Sequence, residues 1–412
     1  MHNYRLYVTA QAISNTSLWM QRIAIDWLVF ELTNSVAAVG ITTALQFGPA
    51  LVVGPLGGII ADRYRKQKLL IWTQSVTAVL CAFLAALTIA GVVQLYQVYA
   101  AALLLGCVAV VEQPTRKVFV HEMVGITRLS NAISVNASVF HLGGLIGPAI
   151  SGGLIALVGA GWSIGVNSVA ACVAIVILLS LRKSELFQSV VAPRAKGQIV
   201  EALRYVRAKP TVFWPMILLG FVAAFGMTLP VILVAFADHI FSSGAAGYGL
   251  YSSAAAVGAL VGALASTRRS RLRLRSLIFA VCLFGAAFIA TSSAPVVNVF
   301  LLCLGAVGFT RLLFTTGAET VVQMSVSSVI RGRVMALYSM IALGGQALGG
   351  PLAGWMTEQW GVRLTMAVAG TVLVLAAAVV AAMLARSGSL SLRMRPHRYG
   401  LILGIVPRDE LR

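Results

Sequence analysis

Arg22 and Asp26 stand four residues apart inside the apolar stretch WMQRIAIDW, residues 19–27. On a helix this spacing puts both on one face, about 6 Å apart along the axis. Two readings follow. Either they form a static pair in which each charge offsets the other's desolvation, or they contact substrate and take part in proton movement. A rigid helix cannot separate its own residues, so the pair alone makes a poor proton switch. Arg311, in another apolar run, is expected to compete for Asp26. His141, Glu112 and Glu319 also lie in apolar surroundings, where a charge usually faces a cavity or a partner. His141 is a hydrogen-bonded structural residue or a proton shuttle, and Glu319 a solvated helix end or part of the path. Gln46, Gln346 and Asn136 line a cavity or bond between helices. Trp19, Trp27, Phe225, Met227 and Phe309 contact an apolar substrate or pack on neighbours. No nucleophile–base set, phosphate loop or metal spacing appears, so an enzyme, a cofactor and a metal site are not expected.

The elements that carry these residues follow from composition. Of 412 residues, 59% are hydrophobic and 10% charged, and the mean hydropathy is +0.91. Such a chain is solvated by lipid. About 20 apolar residues cross a bilayer as a helix, and twelve such runs are present: 8–32, 37–60, 68–91, 95–115, 132–158, 161–181, 211–237, 246–266, 275–292, 296–319, 334–357 and 362–385. The expected fold is all-α and integral to the membrane. The first run is too long for a signal-peptide core and is expected to remain in the protein. Five cysteines lie in apolar runs and read as free thiols.

The net charge of +19 is explained by placement. Arg63, Arg65, Lys66 and Lys68 fall between runs 2 and 3; Arg116, Lys117 and Arg128 between 4 and 5; five arginines at 268–275 between 8 and 9; Arg331 and Arg333 before run 11. The alternate loops are nearly uncharged, and of the lysines and arginines only Arg363 falls there. The basic loops are expected in the cytoplasm with both termini, where they attract anionic lipid; nucleic-acid binding is not expected. The division is 1–181 for the first six-helix half, 182–210 for a cytoplasmic linker, 211–385 for the second half and 386–412 for a basic cytoplasmic tail. The end of the linker, GQIVEALRYVRAKP, sets Val200, Leu203 and Val206 on one face and Glu201, Arg204 and Arg207 on another. It reads as an amphipathic helix on the membrane, ended by Pro210.

The halves repeat. RLSNAISVNASVFHLGGLIGPAISGG starts at Arg128 and RGRVMALYSMIALGGQALGGPLAGWM at Arg331, 203 positions on, the same offset as from Gly147-Pro148 to Gly350-Pro351. Parallel repeats imply a pathway between two similar halves. Small residues recur at four-residue spacing in Gly143-Gly147-Ser151, Gln346-Gly350-Gly354 and Gly258-Gly262-Ser266, letting backbones approach closely. The last set reads as plain packing.

These features resemble the major facilitator superfamily over nearly the whole chain up to about residue 386. GGIIADRYRKQKLL (57–70) is similar to its cytoplasmic signature, with Gly58, Asp62 and Arg63 in place and Arg65 where a glycine is usual. GGLIGPAISGG is similar to its antiporter motif, through Gly143, Gly147, Pro148 and Gly152, with Ser151 where a glycine is usual. The branch it most resembles is the drug:proton antiporters that include enterobactin exporters and macrolide efflux proteins. The resemblance implies alternating access powered by protons, runs 1, 4, 7 and 10 lining the cavity, and runs 3, 6, 9 and 12 at the periphery. It also implies a latch in which Asp62 docks on the N-terminus of run 11, whose free N–H groups are electropositive; Glu112 is expected to partner Arg63 or Arg128. The expected function is export of a small amphiphilic molecule, drug or siderophore-like, by a monomer in the plasma membrane. A uniporter or importer of a metabolite and a transport-inactive scaffold are the alternatives.

Overall fold

The computed structural model describes residues 2–124, 129–181, 198–267, 274–386, 390–397 and 400–407. The first half comprises α1 (His2–Thr33), α2 (Val36–Arg63), α3 (Lys66–Ile89), α4 (Leu95–Val124), α5 (Leu129–Val158) and α6 (Ala160–Ser180). Then come α7 (Gln198–Ala208) and the seventh span. That span is α8 (Pro210–Phe221), a π-helical turn (Val222–Gly226), α9 (Leu229–Ala235) and a second π-helical turn (Phe236–Ile240). α10 (Gly244–Thr267), α11 (Leu274–Ser292), α12 (Val297–Ser325), α13 (Ser328–Trp360) and α14 (Val362–Arg386) complete the bundle. The twelve expected runs are therefore present as spans. Several helices outlast their apolar runs toward the basic loops, so α4 continues to Val124 and α13 begins at Ser328.

Ten of these spans are long and apolar enough to cross a membrane; α1 and α13, although 32 and 33 residues long, are not among them. Both carry polar residues in the bundle interior, such as the buried Gln11, Ser14, Ser17, Gln21 and Asp26 of α1. At the flanks α3 packs on α6 and α11 on α14. Their outer faces expose Val79, Phe83, Val169, Val176, Phe279 and Val379, the surface that lipid solvates.

α2 starts where Asn34, at φ 51°, reverses the chain and Ser35 caps the helix, accepting from the Ala38 N–H at 3.1 Å. The repeat-related α5 and α13 end at Gly159 and Gly361, whose φ values of 92° and 82° favour glycine. Pro148 and Pro351 lie inside those helices at matching positions. In the seventh span the helix loses regular pitch where Gly226 makes room for the Phe284 ring, and it resumes with Pro230 in the first turn of α9.

The halves meet along α2–α13 and α5–α10, with α1 touching α9 and α10. At the first crossing a Cβ on Gly40 would lie 2.8 Å from the Gly350 carbonyl carbon and 3.0 Å from Pro351 Cα. At the second, Gly152 and Gly249 face each other, a Cβ on Gly152 reaching 2.8 Å from Gly249 Cα. Ser253 Oγ donates to the Leu145 carbonyl at 2.9 Å nearby. The small-residue ladders divide differently from expectation. Gly143 and Gly147 pack on Asn15, Thr16 and Trp19 of α1, inside their own half, whereas Gly350 and Gly354 pack across the halves on α2. Gly258 and Gly262 pack on Gly305 and Phe309 of α12, as plain packing.

α7 forms in the expected place but docks on protein. Ala202 and Val206 are buried while Leu203 is 40% exposed, Lys209 Nζ donates to the Ser325 carbonyl at 2.6 Å, and Glu201 pairs with Arg333 at the start of α13. Ala202 is the apolar contact that a reading of larger residues passes over. The tail adds an antiparallel hairpin, β1 (Leu390–His397) paired with β2 (Gly400–Pro407), beside the helical body.

Candidate functional site

Arg22, Gln46, His141, Arg311 and Gln346 stand at membrane depth on α1, α2, α5, α12 and α13. Measured from the helix ends away from the basic loops, Arg22 and Gln46 lie about 15 Å down, Arg311 and Gln346 about 21 Å, and His141 about 26 Å, at 1.5 Å per residue. All five are half-buried, between the buried and exposed extremes.

Arg22 and Asp26 share a face but not a bond. No ion pair within 4.0 Å joins them. The Arg22 guanidinium lies over the rings of Trp19 and Phe47, 5.2 Å from each centroid. Asp26, 6% exposed, accepts instead from Tyr248 Oη at 3.0 Å across the halves. Trp27 stacks on the same tyrosine, with centroids 6.3 Å apart, and Phe30 meets the ring of His239 at 5.8 Å. Arg311 makes no hydrogen bond or ion pair with a described residue, and His141 lies within its electrostatic reach. Phe140 links the groups: its ring is 5.7 Å from Trp19 and 5.9 Å from His141. Gln346 Nε2 donates only to the Ala342 carbonyl of its own helix, at 3.3 Å. Trp19 Nε1, Gln46 Nε2, Asn136 Oδ1 and Ser252 Oγ are buried with no hydrogen-bond partner among the described residues.

The remaining latch residues fall as follows. Glu112 accepts from Arg116 Nε at 2.6 Å and Gln74 Nε2 at 2.7 Å. Its charged partner among the described residues is one turn away on its own helix, and not Arg63. Arg116 also donates to Gln11, which donates to Tyr7 Oη at 2.7 Å, closing a buried network over α1, α3 and α4. Arg63 is exposed in the last turn of α2. Arg128, the surroundings of Gly58 and the side chain of Asp62 lie outside the described residues. Arg331, repeat counterpart of Arg128, donates to the Val326 carbonyl at 3.4 Å.

Three features were not read from the sequence. Tyr248, the donor to Asp26, is one aromatic among many in the sequence. Asn167 of α6 accepts from Ser17 Oγ at 2.8 Å and donates to Gln21, tying α1 to a peripheral helix; a lone amide in an apolar run was the available signal. Glu358, at the far end of α13, accepts from Ser35 Oγ at 2.5 Å and the Ala37 N–H at 3.1 Å. A C-half carboxylate thereby sits on the N-terminus of α2, where helix amides favour an anion. All the described hydrogen bonds and glycine contacts across the halves lie between this end and the middle of the bundle.

A family model described as transmembrane secretion effector matches residues 1–397. Enterobactin exporter EntS of Escherichia coli O1:K1 is 25% identical over 356 residues, covering 85% of this chain and 84% of that one. Its counterpart in Salmonella choleraesuis is 24% identical over 358 residues, with the same coverage. Among solved structures, a bacterial homologue of the human lysosomal transporter Spinster, inward-facing and unoccupied, superimposes with a TM-score of 0.72 at 18% identity over 92% of this chain and 96% of that one. The nucleoside transporter NupG gives 0.73 at 14% over 93% and 99%. Both are similar in fold.

Proposed function

The chain belongs to the transmembrane secretion effector family of the major facilitator superfamily, a multi-pass membrane transporter, and from that premise we propose that it exports a small amphiphilic molecule by alternating access, coupled to proton antiport. The molecule is drug-like or siderophore-like, the latter in keeping with the enterobactin exporters it resembles. The exporter acts as a monomer in the plasma membrane, with both termini and the basic loops in the cytoplasm and anionic lipid around them.

The observation that carries this reading is that, among the described residues, the contacts joining the halves gather between the middle of the bundle and the end away from the basic loops. Gly40–Gly350, Gly249–Gly152, Ser35–Glu358 and Asp26–Tyr248 join the halves there. With those loops cytoplasmic, this is an inward-facing state whose site takes substrate from the cytoplasm. The opposite state requires the same contacts to part and the signature around Asp62 to close on α13. Asp26 is the proposed coupling group, because its bond to Tyr248 is made only while the outer side is closed. Parting the halves exposes the carboxylate to outer water and to protons, with Arg22 and Arg311 nearby in the site.

The test uses inside-out vesicles carrying a pH gradient and a panel of candidate compounds, wild type against Asp26→Asn. Compound-dependent proton movement in the wild type, lost in the variant, supports the reading. Equal rates remove Asp26 from coupling. No movement with any compound, while a control antiporter responds, refutes antiport.

A further inference from the structure

The central site has more hydrogen-bond donors and positive charge than its own side chains absorb. Among the described residues neither Arg22 nor Arg311 makes a hydrogen bond or an ion pair; the Arg22 guanidinium lies against aromatic faces, with Asp26 acting on it only at longer range. The nearest carboxylate by sequence, Asp26, is turned to Tyr248, and Glu112 is held by Arg116 and Gln74. Neutral donors at similar depth add to the imbalance. Trp19 Nε1 can only donate, Gln46 Nε2 is the donor end of its amide, and both are buried without an acceptor among the described residues. Buried donors and charges at membrane depth are unfavourable unless something answers them. The rings of Trp19, Phe47 and Phe140 form the apolar wall of the same region.

We infer that the transported molecule carries a deprotonated acid group, a carboxylate, sulfonate or phosphate, on an aromatic body, and that Arg22 and Arg311 bind the acid while Trp19 and Phe47 hold the rings. The inference rests on the exporter reading and narrows it. An anion supplies the acceptors that two guanidinium groups, an indole N–H and an amide N–H lack. It also explains why Asp26 is held away on Tyr248: a free carboxylate beside Arg22 would compete with the ligand. A cationic amphiphile, by contrast, would meet two positive charges there.

The test compares two probes of one skeleton, 1-anilinonaphthalene-8-sulfonate and the neutral N-phenyl-1-naphthylamine. Binding to the full chain in phosphatidylcholine nanodiscs is read by energy transfer from tryptophan, with empty nanodiscs subtracted. The sulfonate is expected to bind at least about tenfold more tightly. Arg22→Gln and Arg311→Gln are each expected to weaken it on the order of tenfold while leaving the neutral probe unchanged. The neutral probe also shows that the variants are folded. Equal affinity for the two probes, or equal loss of both in the variants, overturns the inference. If phosphatidylglycerol in the disc abolishes sulfonate binding, the site holds lipid headgroups and a soluble acid is overturned. Vesicle transport of neutral or cationic compounds alone would leave the exporter reading standing and sink the acid; transport of no compound would sink the exporter reading itself.

Discussion

Glu358 offers a direct handle on the balance between the two states of the transporter. Its carboxylate accepts from Ser35 Oγ at 2.5 Å and the Ala37 N–H at 3.1 Å, so it bridges the halves at the N-terminus of α2. It is exposed, so its contribution must be discounted for solvent screening. A carboxylate at an exposed helix N-terminus contributes about 0.3–1 kcal/mol. Glu358→Gln keeps an acceptor oxygen and loses the charge, which shifts the closed-to-open balance about two- to fivefold toward opening of that end. Glu358→Ala also removes the acceptor, leaving Ser35 and the α2 amide to water, and the shift rises to the order of tenfold. The assay is labelling of Thr43→Cys by a membrane-impermeant maleimide from the side away from the basic loops. Thr43 is 9% exposed and packs on Gly350, so it becomes reachable only when the crossing parts. While the open state is the minor one, the labelling rate is proportional to its population. The expected order is Ala fastest, then Gln, then wild type, in a background reporting the native cysteines alone. An unchanged rate in both variants, or slower labelling, would refute the assignment of Glu358 as a contact that holds the closed end together.

Other outcomes follow from the same geometry. Gly40→Ala places a methyl against Gly350 and Pro351 across the halves; it is expected to abolish transport and raise Thr43→Cys labelling, with the melting temperature in detergent little changed. Gly258→Ala meets Gly305 inside the second half and is expected to lower the melting temperature instead, because no motion relieves that clash. Tyr248→Phe removes the donor to Asp26 and weakens closure by about 1–3 kcal/mol, read as faster labelling that Asp26→Asn in the same chain partly reverses. Asn167→Ala deletes the link from Ser17 to Gln21 and is expected to cost about 0.6–1.7 kcal/mol of fold stability, measured by thermal unfolding, with no change in labelling.

The repeat and the twelve spans were legible because both are written locally: a span is a run of apolar residues, and Gly147-Pro148 and Gly350-Pro351 share one offset. The partners of the charges were not. Helical spacing correctly puts Arg22 and Asp26 on one face, but it does not show that Tyr248 of the other half reaches Asp26 or that Phe47 lies under Arg22. Those contacts depend on how the two halves dock, which no single helix encodes. Glu112 shows the opposite error. Arg116 stands four residues on, the spacing of a helix-face pair, and this partner on its own helix prevailed over the more distant Arg63. Glu358 lay near a loop end, where a single acid looks like ordinary solvated surface, and only the Ser35 cap across the interface gives it a role.

The polarity of α1 bears on how the chain enters the membrane in the first place. This helix is not apolar enough to qualify as a span by composition, and an arginine or aspartate near a helix centre disfavours insertion by about 2.5–3.5 kcal/mol each. The ribosome nevertheless delivers it before the segments that satisfy it. The groups that satisfy it, Asn167 for Gln21 and Ser17 and Tyr248 for Asp26, emerge much later. α1 therefore has to be retained beside the insertion machinery until α6 arrives, and its burial completes only when α10 docks. Fragments that end after α2 or α3 are expected to leave α1 unintegrated, so biogenesis of the first helix is a property of the whole bundle.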